Sequence, residues 1–324
     1  MKKNSLLFIV ILILFTGCET DFDVNTDWKE TTVVYGLLDA SLDTQFIRIN
    51  KGYLGNMSAI DMANYSDSIH FNPNYLQVKL HKLQFTDTLM SLDLDTILID
   101  KEEGFFANDN NIIYRAITPS NFLKSDREYV ISIKNLLSDN FVNAKTEVIS
   151  SFDFLNFNSA YKFGFYNAAL PDSTKFRSKN LDWNKVDNGV IYQLDVRFNY
   201  LENGEFKYLV WTQPLVRFTG IQMNTKLEGT KFFSFLRNNL ENDDSVIREF
   251  LSLDLIMTIG TEDLNAYIQV NAPISSIVQE RSEFSNINNG IGLFSSRYTH
   301  VEFDIDLTDD TKQYIIEKLD KNFQ

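Results

Sequence analysis

The sequence predicts a mainly β protein, in which an N-terminal immunoglobulin-like β-sandwich precedes an antiparallel, curved or barrel-like β domain with a few helices. The first observation is a series of short apolar runs at regular spacing, separated by turn-forming residues. The second is an Asn-Gly pair at 203–204 between two strand-like runs, which is typical of a hairpin. The third is a hydrophobic content of 44%, which suffices for a sizeable core.

Alternating apolar and polar residues define the first predicted domain, residues 30–153. In the stretch 128–135, for example, Tyr129, Ile131 and Ile133 fall on one face of a strand. Residues 51–74 are rich in Asn, Ser, Asp and Gly, so we expect a long loop there. Strands are predicted at 31–38, 44–50, 76–83, 96–99, 112–117, 128–134 and 145–152.

The second predicted domain, residues 154–324, mixes longer strands with helices. Phe232, Leu236 and Leu240 recur at helical spacing. Thr308 followed by two acidic residues is typical of a helix N-terminus, with Thr308 as the N-cap. Strands are predicted at 160–167, 190–201, 205–215, 250–260, 290–298 and 300–307. Helices are predicted at 229–241, at 263–282 with an interruption at Pro273, and at 308–319.

The composition excludes several classes of protein. Among 324 residues, 30 are Lys or Arg and 44 are Asp or Glu, which gives a net charge of −14. A nucleic acid is therefore not expected as a partner, because phosphate contacts need a basic surface. A single cysteine cannot form an internal disulfide or a Cys-rich zinc site, and no cofactor is predicted.

The N-terminus indicates the compartment. Lys2 and Lys3 precede an apolar run of ten residues at 6–15, which is too short for a bilayer-spanning helix of about 20 residues. The sequence Phe-Thr-Gly-Cys that follows resembles the lipobox of bacterial lipoproteins. It predicts a signal peptide at 1–17, lipidation of Cys18 and a lipidated tether at 18–29. The alternative is an ordinary secreted protein with one stray cysteine.

A second segment carries a more specific resemblance. Residues 284–294 read FSNINNGIGLF, and with the lipobox they are similar to a family of uncharacterised Bacteroidota outer-membrane lipoproteins. The resemblance implies a lipid-anchored protein of the outer membrane, exposed at the cell surface, beside a TonB-dependent transporter. It carries over no catalytic residues. Gly290 and Gly292 would lie on one face of a strand, where glycine allows a close backbone approach or a sharp bend. They predict a barrel corner or a packed helix crossing, with a ligand-contacting edge as the alternative.

Sequence motifs for catalysis are absent. The chain has no G-x-S-x-G, H-E-x-x-H, P-loop or G-x-G-x-x-G string and only three histidines, so we do not expect an enzyme. Glu302, Asp304 and Asp306 alternate along a predicted strand and would share one face. Such a row could bind a hard cation such as calcium, or simply face water.

Two tryptophans are candidates for a sugar-binding surface. Trp183 lies in the polar stretch 180–184, which favours an exposed ring, whereas Trp211 lies in a predicted strand and is expected in the core. The abundance of phenylalanine favours core filling over binding, because phenylalanine has no polar group.

Three hypotheses of function follow, and each has a structural test. An accessory lipoprotein beside a transporter predicts an exposed apolar or aromatic patch and no polar catalytic pocket. A carrier of an apolar or glycan ligand predicts an open, aromatic-lined cavity in the second domain, and a filled interior would contradict it. A carboxylate- or metal-dependent hydrolase needs acids that converge across a cleft.

Overall fold

A computed structural model describes residues 31–52, 69–99, 111–157, 160–217, 220–243, 245–272 and 283–324. Within these ranges the chain forms fifteen strands and three α-helices, which confirms the mainly β class. Across the same ranges, no helix is both long and apolar enough to cross a membrane. The predicted signal peptide, Cys18 and the tether lie outside the described residues.

All three of these α-helices lie in the second half of the chain. The strands of the first half are β1 (Thr31–Asp39), β2 (Thr44–Gly52), β3 (Leu76–Gln84), β4 (Asp87–Asp93), β5 (Asp95–Ile99), β6 (Asn111–Ile117), β7 (Glu128–Asn135) and β8 (Phe141–Glu147). Those of the second half are β9 (Ser178–Asn184), β10 (Ile191–Glu202), β11 (Glu205–Thr212), β12 (Val216–Arg217), β13 (Gln222–Glu228), β14 (Arg248–Gly260) and β15 (Ile291–Ile305). The helices are α1 (Gly229–Asn239), α2 (Glu262–Asn271) and α3 (Asp309–Lys318).

One large sheet runs through the described chain in the order β11-β10-β14-β15-β1-β2-β6-β5, with β12 also paired to β10. β1 and β15 are parallel, and the other described pairs of this sheet are antiparallel. The sheet ends in two separate edge strands, β11 and β5, so the described strands close no barrel. This corrects the expectation of a barrel-like second half.

The first hydrophobic core is that of a β-sandwich. The smaller sheet β4-β3-β7-β8 packs on β1, β2 and β6, and apolar side chains from both sheets are buried between them. Every second residue of a strand faces this core, as Val78 and Leu80 do from β3. The alternation seen in the sequence therefore predicted most of these strands within two residues.

The second core lies between β10, β14 and β15 on one side and α1, α3 and the β9–β13 pair on the other. Aromatic rings fill it: Phe165 stacks on Phe232 with ring centroids 4.3 Å apart, and Phe198 packs 6.1 Å from Phe232. The interior of this half is therefore occupied by side chains. This is the outcome that argues against a ligand carried inside the second domain.

The two cores share the large sheet. They separate between Val148 and Ile149, close to the predicted domain boundary at 153/154, but Ile287 and Phe294 belong to the first core. Phe294 and His300 both lie on β15, six residues apart. Side chains alternate between the two faces of a strand, so these two point to the same face of the sheet. Strands of both predicted domains thus belong to one sheet and bury the same face.

Four local predictions differ from the structure. The strand predicted at 145–152 is β8, Phe141–Glu147, and residues 148–152 form no strand. Residues 160–167 form isolated bridges, Phe163 with Leu307 and Tyr166 with Phe176, instead of a strand. The two strands predicted at 290–298 and 300–307 are one continuous strand, β15. Thr308 is the N-cap of α3, yet its hydroxyl bonds the Thr311 hydroxyl at 2.9 Å and caps no backbone N–H.

Candidate functional site

The structure separates the three acids that were predicted to share a face. Phe303 and Asp304 both lie opposite Asp254 at a β-bulge, and Asp304 adopts a left-handed φ of 58°. The bulge breaks the alternation, so Phe303 is exposed whereas Ile305 is fully buried. The row of acids expected on one face of the strand is therefore not formed.

Two of these acids have protein partners. The Glu302 carboxylate lies 2.8 Å from Nε2 of His300, and Asp306 pairs with Lys312 at 2.6 Å and with Lys162 at 3.0 Å. Burial raises the pKa of Asp306, but hydrogen bonds from the two lysines outweigh it and hold this pKa below its usual value. In the described part of the chain no three His, Cys, Asp or Glu side chains gather as metal ligands. Glu302, Asp304 and Asp306 consequently form no shared cation site there.

Trp183 is fully buried, which corrects the expectation of an exposed ring. The polar stretch around it forms β9 and pairs with β13, so alternate residues turn into the second core. Its ring packs against Phe152, Phe154 and Tyr192, with centroids 5.7 to 6.5 Å apart. The indole therefore offers no face to a sugar. Trp211, which was expected in the core, is the partly exposed one of the two.

A cleft of about 540 Å³ lies between the two cores, and we call it the junction cleft. Its walls are the paired strands β7 and β8, residues 188–190 before β10, the first turn of α2 and the segment 286–288. Chain segments from both halves of the molecule therefore meet at this one site.

Carboxylates dominate the junction cleft. Glu128, Glu147, Glu262 and Asp263 line it, with Lys145 as the one cation among the described lining residues. Lys145 pairs with Glu128 at 2.9 Å, and that hydrogen bond raises the pKa of the lysine. The cleft is thus a negatively charged surface that can accept hydrogen bonds.

Asn286 fixes one wall of the junction cleft. Its Nδ2 donates to Asp263 at 2.9 Å and to the carbonyl of Phe294 at 2.7 Å, and its Oδ1 accepts from the N–H of Phe294 at 2.9 Å. Asn288 is held in turn by Asn143, through paired backbone bonds and a side-chain bond of 2.9 Å. The amides of the segment 286–288 are therefore positioned by bonds within the fold.

The structure explains why residues 290 and 292 are glycines. A Cβ on Gly290 would lie 2.7 Å from the carbonyl oxygen of Thr32. Gly292 has a φ of 122°, and a Cβ there would overlap the carbonyl oxygen of Val34. Both glycines let the start of β15 approach β1 closely. The glycines therefore allow two strands to approach closely, whereas the sequence predicted a barrel corner or a helix crossing at this place.

The lining of the junction cleft consists mainly of carboxylates, amides and hydroxyl groups. Its described residues include no serine, cysteine, histidine or tyrosine, so its four carboxylates are the groups there that can take up or give a proton. The Thr261 hydroxyl is bonded to Ser295 at 2.6 Å, so it is already engaged. The amide N–H groups of Asn188 and Asn286 are likewise bonded within the fold, so the carboxylate oxygens are the groups that can bind a polar ligand.

A buried polar cluster was missed by sequence reasoning. Asp254 is almost fully buried in β14 and accepts bonds from Arg197 at 2.7 and 2.9 Å, from Asn199 at 2.7 Å and from the N–H of Asp304 at 3.0 Å. The signal for it was a single charge inside the apolar run 250–260. Its partners show that this carboxylate holds the β-bulge in place.

Comparison with known proteins adds no family. No protein-family model matches the chain, and no curated protein matches it. A solved structure of the E. coli CFA/I adhesin CfaE aligns with 9% identity over 84% of this chain and 93% of that chain, at a TM-score of 0.14. A likeness at that TM-score carries no argument about fold or function.

Proposed function

We propose that the protein is a non-enzymatic outer-membrane lipoprotein, anchored through Cys18, that serves as an accessory or ligand-binding component beside a TonB-dependent nutrient transporter. The observation that carries this proposal is the junction cleft. It combines a volume suited to a small ligand with several carboxylates on walls that hydrogen bonds hold in place, and these can accept hydrogen bonds from a polar ligand. The lipobox supports the anchor, which would concentrate the protein at the membrane surface.

An exposed aromatic edge supports the accessory role. β11 ends the large sheet, and Phe206, Tyr208 and Val210 on its open face are 59%, 55% and 42% exposed. An edge strand offers unpaired backbone groups, so an exposed apolar edge is a typical place for another chain to bind. This is the kind of patch that the accessory hypothesis predicts.

The experiment is an affinity purification of tagged protein from detergent-solubilised envelope. We expect a TonB-dependent transporter to co-purify with the lipidated protein and to be lost with Cys18→Ala. Phe206→Ser should also lose it, because it removes an exposed aromatic side chain from β11. Leu98→Ser is the matched control, since Leu98 is 69% exposed on β5, the opposite edge of the same sheet.

Two results would contradict the proposal. One is a protein that fractionates with the outer membrane yet brings down no transporter. The other is a transporter that co-purifies equally well with wild type, Phe206→Ser and Cys18→Ala, because neither the anchor nor the edge would then matter.

A further inference from the structure

A second concavity lies in the second half, where the end of β11 and the residues up to β12 face β13 and the start of α1. It has a volume of about 350 Å³, and Trp211 lines it, so we call it the Trp211 pocket. Gln213, Asn224, Thr225, Lys226 and Lys231 also line it. An aromatic ring, amides, a hydroxyl and two ammonium groups therefore surround one small space.

Trp211 is a fixed platform at the edge of the second core. Its indole lies nearly parallel to the ring of Phe235, with centroids 6.0 Å apart, and 5.9 Å from the ring of Phe232. Both phenylalanines lie on α1, so the indole is held by the helix while part of it remains exposed. A rigid aromatic surface loses little conformational entropy when a ligand packs on it.

Gln213 supplies an acceptor at the pocket wall. The residue is 6% exposed, and its backbone N–H and carbonyl are both bonded, to Leu194 and Gln193 respectively. Its Nε2 donates to the carbonyl of Trp211 at 3.2 Å. The Oε1 of the same amide can accept a hydrogen bond from a ligand hydroxyl.

The charge of the Trp211 pocket is opposite to that of the whole chain. Lys226 and Lys231 line it, and none of its described lining residues is acidic, although the chain carries −14 overall. Lys231 pairs with Glu228 at 3.1 Å on the surface, and no described carboxylate pairs with Lys226. The ammonium group of Lys226 can therefore bind an anionic group of a ligand.

We propose that the Trp211 pocket binds a sugar ring that carries a carboxylate, that is, a uronic acid unit of a glycan. The indole packs on the apolar C–H face of the ring, and the amides of Gln213 and Asn224 bond its hydroxyl groups. Lys226 pairs with the carboxylate. This inference does not rest on the transporter, because the pocket belongs to this chain alone.

The test is isothermal titration calorimetry of the purified full chain in detergent, with trigalacturonate as the acidic probe and maltotriose as the neutral one. We expect saturable binding of trigalacturonate with a Kd below about 1 mM, and weaker binding of maltotriose. Trp211→Phe keeps a ring against Phe235 and should weaken trigalacturonate binding about threefold to tenfold. Circular dichroism verifies that each variant is folded.

A charge variant separates the role of the lysine from that of the ring. Lys226→Gln should weaken trigalacturonate about twofold to fivefold and leave maltotriose unchanged. Lys318→Gln removes the same charge from the end of α3, away from the pocket, and should change neither. Absence of saturable binding below about 10 mM overturns the proposal. So does equal affinity of the wild type for both probes, or a ratio that Lys226→Gln does not alter.

Each of the two proposals can be contradicted without contradicting the other. No transporter is present in the calorimeter, so a lack of trigalacturonate binding leaves the accessory role standing. A purification that recovers no transporter likewise leaves the sugar site standing.

Discussion

Arg248 joins three parts of the chain at the far end of the second core. It is 2% exposed, and its guanidinium donates to Glu202 at 2.8 Å and to the backbone carbonyl of Lys321 at 2.9 Å. Glu202 also accepts a bond from Lys207. A buried guanidinium is tolerated only when its N–H groups are bonded, so the carboxylate of Glu202 is what allows Arg248 to lie there.

This pair makes stability depend on pH. Hydrogen bonds from Lys207 and from Arg248 lower the pKa of Glu202 in the folded protein. A carboxyl whose pKa is lower in the folded state stabilises the fold above its unfolded pKa, and this contribution is lost as the pH falls through the folded pKa. We expect Glu202→Gln to lower the free energy of unfolding by about 1–3 kcal/mol at pH 7 and by less at pH 3.

Urea denaturation at the two pH values measures that difference. Glu317→Gln, on the exposed surface of α3, is the control and should change stability little at either pH. Equal losses for Glu202→Gln at pH 7 and pH 3 would show that the carboxylate has no such role.

At the scale of the element, most of the predicted strands have one buried face. β1, β2, β3, β7 and β10 are of this kind. β4 was missed because its side chains are almost all exposed, so no alternation marks it. β9 was missed because its polar sequence becomes a strand only by pairing with β13. Trp183 was wrongly predicted to be exposed for the same reason, because it lies on β9.

The start of β15 gives the sharpest prediction at this scale. Gly292 and Gly204 both have a positive φ, but a Cβ at Gly292 would overlap β1, whereas nothing lies within 4 Å of a Cβ at Gly204. Gly204→Ala should therefore cost only about 1 kcal/mol of backbone strain. Gly292→Ala should cost more than about 3 kcal/mol in urea denaturation, because the parallel pair must also separate. Equal losses for the two variants would contradict the close approach.

At the scale of the molecule, the candidate site depends on contacts between distant parts of the chain. β1 lies in register with β15, from Val33 opposite Ile291 to Asp39 opposite Arg297. That pairing brings the segment 286–288 beside β8 and forms the junction cleft. The sequence could not predict the cleft, because its lining residues come from distant stretches that only the fold brings together. It could predict that Gly290 and Gly292 matter, since glycine in a strand indicates a close approach.

Because one sheet serves both cores, damage to one core should be felt in the other. Phe294 is fully buried in the first core, whereas Trp183 and Trp211 lie in or at the edge of the second. The third tryptophan of the sequence, Trp28, can be removed by Trp28→Phe. In that background, tryptophan fluorescence reports on the second core alone. Phe294→Ala should destabilise the protein by about 3–5 kcal/mol and lower the unfolding midpoints by fluorescence and by far-UV circular dichroism together. An unchanged fluorescence midpoint with a biphasic circular dichroism curve would mean that the two halves unfold independently despite their common sheet.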